Sequence, residues 1–104
     1  EGVGSPDFTR LMGETSSVEG FRARLTDPDW FVIDQWQLQE MCKALDRADV
    51  RYVTDGLDED TVRGLLVTPA RSVEEAVDDA LGQHGRDALI AVIPEGPYVM
   101  PRVA

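Results

Sequence analysis

Cysteine, histidine and long apolar runs are all scarce in this sequence, and each scarcity removes a class of function. One cysteine, Cys42, excludes an internal disulfide and any multi-cysteine metal cluster, and is compatible with the cytoplasm. One histidine, His84, stands just before Gly85 and reads as an exposed residue favoured by the end of a helix. No apolar run approaches the ~20 residues that span a bilayer, and no signal-peptide pattern is present, so no membrane role is expected. Basic residues are few, ten against twenty acidic ones, for a formal charge of −10. Such a surface repels phosphate backbones, which argues against a nucleic-acid partner. At 104 residues, a single domain spanning 1–104 is expected. The chain opens on Glu1-Gly2-Val3-Gly4 without methionine, which reads as a piece cut from a longer protein.

What the sequence does hold is centred on Ser72 to Pro97. Ser72 and Glu75 have capping-box spacing, and Val73, Ala76, Val77, Ala80 and Leu81 form one apolar stripe with acidic residues around it. Gly85 is suited to ending that helix. Ala88 to Ile93 is an unbroken apolar run, predicting a strand covered on both faces and hence a parallel sheet. Pro94 stops it, and Pro94 to Tyr98 would lie beyond the strand's carboxyl end, where ligands gather in open parallel sheets.

Earlier in the chain, Ser5 precedes Pro6, with Phe8, Leu11 and Met12 as the apolar side of a short helix. Ser16 and Glu19 have capping-box spacing for a second helix, with Val18, Phe21 and Leu25 inward. The glycines of Glu1 to Ser5 lack the third glycine of a dinucleotide fingerprint, so nucleotide binding is not expected. Leu38, Met41, Cys42, Leu45 and Ala48 define a third helical stripe. On that stripe Cys42 reads as a small buried hydrophobe rather than a nucleophile. Extended backwards, the stripe places Asp34 on the core face, with Gln35 beside it. Two readings follow. Either Asp34 caps the helix and Gln35 bonds nearby backbone, or Gln35 and Trp36 face a cleft, the amide reading a carboxylate or hydroxyl and the indole walling the pocket.

Ala48 to Thr54 predicts a second strand, Asp58 a cap for a helix with Val62, Leu65 and Leu66 inward, and Val67-Thr68 a very short third strand before Pro69. The fold class is α/β: a small parallel sheet with helices packed on it, a truncated two- or three-layer domain. Two convincing strands are fewer than a stable sheet has, pointing to a strand lost upstream or to a homodimer or strand swap. The acidic residues of 74–79 have helix-surface spacing, and no loop has metal-ligand spacing, so no metal site and no self-sufficient catalytic set is expected.

The ordered set EGVGSPDF, DQWQLQEMCKALDRA, ADVRYVTDGLDEDTVRGL, VTPARSVEEAVDDAL and DALIAVIPEGPYVMP resembles the C-terminal domain of the nickel-dependent lactate racemase family over nearly the whole chain. The resemblance implies the C-terminal fragment of a two-domain racemase or epimerase acting on small 2-hydroxy acids. It implies a nickel pincer nucleotide on a lysine of the N-terminal domain, where two histidines exchange protons with the substrate hydroxyl while a hydride leaves and returns to carbon. None of those catalytic residues maps onto this chain. Its share would be to close the cleft against its own N-terminal domain and to contact substrate through Gln35 and Trp36. Family members often carry a lysine shortly after this glutamine; here Leu38 stands three residues on. The resemblance also implies a strand ahead of the Glu1 to Ser5 loop. The competing reading is a non-catalytic α/β protein-interaction module, binding through Pro94 to Tyr98 or the acidic helix.

Overall fold

A computed structural model describes residues 2–100 and residue 102. Three helices come first: α1 (Pro6–Gly13), α2 (Val18–Arg24) and α3 (Gln35–Leu45). Strand β1 (Arg51–Tyr52), helix α4 (Glu59–Gly64), strand β2 (Thr68–Pro69) and helix α5 (Val73–His84) follow, then a 3-10 turn over Gly96–Tyr98. The strands pair in parallel with Arg51 opposite Thr68 and Tyr52 opposite Pro69, so the expected α/β class with a small parallel sheet is what forms.

Helix starts follow the local chemistry. Ser5, Asp58 and Ser72 each accept a hydrogen bond from the backbone N–H three residues on, satisfying a donor that the first turn leaves unpaired. Pro6 occupies the first turn of α1, where its missing N–H costs nothing. At α2 the cap is Ser17, bonded to the Gly20 N–H, and not Ser16. One residue of slip between adjacent serines is beyond what spacing resolves. Around α5 the capping box is shifted as well. The Glu75 carboxylate accepts from the N–H and guanidinium of Arg71, the residue before the cap. These bonds hold Glu75 below the ordinary carboxylate range. Pro69 fits its strand because Thr68 and Ala70 donate to β1, which directs the proline's missing N–H outward.

The core lies among the first three helices. Phe8, Leu11, Met12, Phe21, Val32, Leu38 and Cys42 are buried together, with Val18, Leu25, Trp30 and Met41 packed around them. Trp30 meets Phe21 edge-on at 6.0 Å between centroids, and the Arg24 guanidinium covers its other side at 5.6 Å. Buried Thr15 satisfies its hydroxyl by donating to the Leu11 carbonyl at 2.7 Å.

The second half is packed differently. Val62 is buried beneath β2, whereas α5 buries none of its residues fully. The expected strand from Ala88 to Ile93 does not form. Leu89 is fully exposed and Val92 81% exposed, and from Leu89 to Ile93 no ladder hydrogen bonds are made among the described residues. The run is apolar enough for a buried strand, but among the described residues no strand pairs with it. The radius of gyration, 15.6 Å, exceeds the roughly 13 Å of a compact domain this size, consistent with that extended tail.

Phe21 is 1% exposed at the centre of the core, so Phe21→Ala should cost about 3–5 kcal/mol in urea unfolding. Glu75 contributes stability above its unfolded pKa that is lost as pH falls through its lower folded value. Glu75→Gln should therefore flatten the loss of melting temperature below about pH 4 without altering the plateau near pH 7 in slope.

Candidate functional site

The start of α3 is where local chemistry departs from the regular pattern. Asp34 sits at the cap position with φ +69°, a left-handed conformation that aspartate tolerates better than most residues. Its side chain does not cap the helix. Instead its Oδ2 accepts a 2.6 Å hydrogen bond from Ser5 Oγ, which also accepts from the Phe8 N–H. One hydroxyl thus ties the Gly2 to Ser5 loop and the α1 start to the α3 start, across 29 residues of sequence. Gly2 and Gly4, at φ +73° and +132°, supply the backbone freedom that this loop needs.

Gln35 is half-buried and its Oε1 accepts from the Val32 N–H at 2.8 Å, closing the turn that leads into the helix. Part of the bland expectation for this residue, bonding to nearby backbone, is therefore met. The carboxamide's N–H donors have no partner among the described residues, and the same holds for the Trp36 backbone N–H in the first turn. Trp36 itself is 61% exposed, and Phe31 and Ile33, on the turn before it, are exposed as well. The structure thus brings Asp34, Gln35 and Trp36 together with Ser5 at one surface. An unpartnered amide, an open helix start and an indole can bind a carboxylate or hydroxyl, with the Asp34 charge partly offsetting attraction for an anion.

That surface is not enclosed. Larger concavities lie elsewhere, one of about 360 Å³ bordered by Val3, Met12, Thr61 and Leu65 and another of about 420 Å³ between β1 and α5. Pro94 to Tyr98, expected beyond a strand end, is an exposed turn bonded within itself, from Tyr98 N–H to the Glu95 carbonyl. With no strand before it, it does not sit at a sheet edge. His84 ends α5 in an exposed position, as its sequence context implied. Cys42 is buried, and burial pushes its thiol pKa up, with the Arg22 charge acting in the other direction; it is not an activated nucleophile. Nearby, Arg22 and Asp46 form an exposed ion pair joining α2 to the end of α3.

The comparison with known proteins now decides the family. The model of the lactate racemase C-terminal domain matches residues 1–100. The chain belongs to that family. A lactate racemase of Thermoanaerobacterium thermosaccharolyticum is 29% identical over 104 residues, an alignment covering 98% of this chain and 24% of the relative. A lactate racemase of Lactiplantibacillus plantarum is 32% identical over 63 residues, 61% of this chain and 15% of that protein. The chain thus spans about a quarter of the length of the first of these relatives and less of the second. No solved structure matches. As a lactate racemase C-terminal domain, the chain carries no group of three or more His, Cys, Asp or Glu residues able to hold a metal among the described residues. No helix among the described residues is long and apolar enough to cross a membrane.

Sequence reasoning singled out Gln35 and Trp36 but missed Ser5 as the residue that fixes Asp34. The available signal was the capping-competent serine after two glycines; its partner 29 residues on is a tertiary fact. Asp34→Ala should destabilise the domain by about 2 kcal/mol, through the lost Ser5 bond and an alanine forced left-handed. Asp34→Gly should recover the backbone part of that loss, which urea denaturation of both variants will show.

Proposed function

We propose that this chain is the substrate-side, cleft-closing domain of a longer two-domain 2-hydroxy acid racemase or epimerase, lactate-like in substrate and cytoplasmic. The observation that carries this reading is the α3 start, where the unpartnered Gln35 amide and the exposed Trp36 indole adjoin each other in a family member. Gln35 donates to the substrate carboxylate or hydroxyl, and Trp36 lies along its carbon skeleton. Because its Oε1 is held by the Val32 N–H, the Gln35 amide is oriented before substrate arrives, which lowers the entropy lost on binding. Phe31, Ile33 and Trp36 face the N-terminal domain, and their burial on closure excludes water from the reacting centre.

The reaction's proton and hydride chemistry belongs to the N-terminal domain in this reading, together with a nickel pincer nucleotide. When bound, that cofactor supplies a hydride acceptor. This chain binds, orients and desolvates. Leu38, three residues beyond Gln35, is fully buried in the core and supplies no charge to the site. Substrate recognition from this domain therefore rests on the neutral Gln35 amide, the Trp36 indole and the backbone N–H at the start of α3.

In the complete protein loaded with cofactor, Gln35→Ala should lower the rate of inversion of a 2-hydroxy acid at least about tenfold, read by chiral chromatography. Trp36→Ala should raise KM more than it lowers kcat. An unchanged rate in Gln35→Ala would remove that residue from the substrate's contacts, and no inversion of any 2-hydroxy acid by the loaded wild-type protein would overturn the racemase reading.

A further inference from the structure

Asp34 is held where its own chemistry does not favour it. An aspartate before a helix ordinarily adopts extended backbone and accepts from a first-turn N–H, as Asp58 does at α4 with φ −73° and a 2.9 Å bond from the Thr61 N–H. Asp34 does neither. Its φ of +69° lies in the left-handed region, and its side chain makes no bond to the start of α3. What it has instead is the 2.6 Å bond from Ser5 Oγ. That hydroxyl is itself fixed by accepting from the Phe8 N–H at 3.1 Å, in the first turn of α1, which leaves its proton to donate to the carboxylate. The Asp34 charge is thereby joined to the start of α1 and kept off the start of α3.

The consequence falls on Gln35. With Asp34 left-handed, the chain turns so that the Gln35 N–H donates to the Val32 carbonyl at 3.1 Å while Gln35 Oε1 accepts from the Val32 N–H at 2.8 Å. An extended Asp34 would change the direction in which the chain enters the helix, open that turn and release the Gln35 side chain. Its carboxylate would then accept from the Trp36 or Gln37 N–H, as capping aspartates do, and set a negative charge against the face that receives the substrate's carboxylate or hydroxyl. Asp34 is thus a built-in competitor for the substrate, and one hydroxyl 29 residues away in sequence keeps it out.

From these observations we infer that Ser5 is a positioning residue for the substrate site: by holding the Asp34 carboxylate against the start of α1, it keeps the Gln35 amide oriented and the start of α3 open. Ser5 itself touches no substrate. Without its hydroxyl, Asp34 turns back to cap α3, and only the molecules that remain open bind substrate. The apparent affinity then falls by the open fraction. This role rests on the reading of Gln35 and Trp36 as substrate contacts; the hold of Ser5 on Asp34 does not.

In the complete protein loaded with cofactor, Ser5→Ala should raise KM for a 2-hydroxy acid at least about tenfold and lower kcat by less, read by chiral chromatography. Ser5→Thr, which keeps the hydroxyl, should restore KM. Adding Asp34→Gly to Ser5→Ala removes the competing carboxylate, while glycine takes the left-handed conformation freely, so KM should come back down at least about fivefold. A merely structural loss at the α1 cap would persist in the double variant. An unchanged KM in Ser5→Ala, or no recovery in the double variant, overturns the inference. Backbone hydrogen exchange of the complete protein without substrate gives a second reading. The Trp36 or Gln37 amide should exchange at least about tenfold more slowly in Ser5→Ala than in the wild type, with the Cys42 amide of α3 as the reference. No slowing at either amide overturns the inference whatever the kinetics. Slowing in a protein whose loaded wild type inverts no hydroxy acid refutes the racemase proposal and leaves the hold of Ser5 on Asp34 standing. A helix start tolerates glycine better than alanine, so Ser5→Gly takes the place of Ser5→Ala in both measurements if the alanine variant does not fold.

Discussion

The burial of Leu11, Phe21 and Leu38 against one another is the contact on which the remaining structure depends. These side chains come from three separate helices and are at most 1% exposed, so each helix is held by the other two. Short helices of seven to eleven residues are marginal alone in water, and propensity cannot maintain them. Their tertiary packing fixes the direction of α3, and the direction of α3 fixes where Asp34, Gln35 and Trp36 emerge. The Ser5 to Asp34 hydrogen bond then sets the last few degrees of freedom at that end of the helix. The geometry of that surface is in this sense a by-product of the core beneath it.

Nothing comparable holds the second half. β1 and β2 contribute two residues each, and α5 leaves its apolar stripe half-buried. Its order comes from caps and ion pairs, such as Asp58 with Thr61 and Arg71 with Glu75, which are local and exposed. Exposed pairs of this kind contribute little net stability. What they do provide is definition of where each helix begins, so that the strands between them are presented in register. Among the described residues, a well-packed first half thus stands beside a capped second half whose apolar stripe is only half-buried.

Legibility in the sequence divides along the same line. Caps at Ser5, Asp58 and Ser72, and the stripes of α1 and α3, were readable because capping and helical periodicity are short-range. The α/β class was readable for the same reason, through helices separated by brief extended stretches. Ala88 to Ile93 was not, although its composition was interpreted in the ordinary way. An apolar run states a demand for burial; whether that demand is met depends on residues distant in sequence, and no local rule carries that information. At the α3 start, the identity of Gln35 and Trp36 was visible but the left-handed Asp34 was not. A helix wheel extended backwards assumes that the helix continues, whereas here the chain turns at Asp34 and sends its carboxylate to Ser5.

The two unfinished surfaces of the molecule are independent of one another, and this bears on how function and folding are coupled. The α3 start offers an aromatic ring and a few hydrogen-bond donors, a surface suited to transient closure over a small polar molecule. The β1 edge offers directional backbone groups above an apolar floor, a surface suited to permanent occupation by a strand. Ladder hydrogen bonds to an edge hold a strand along its backbone, whereas contacts of exposed side chains such as Phe31 and Trp36 are readily made and broken. The packing of α1, α2 and α3 presents Gln35 and Trp36 in one geometry, whereas the β1 edge stays open among the described residues.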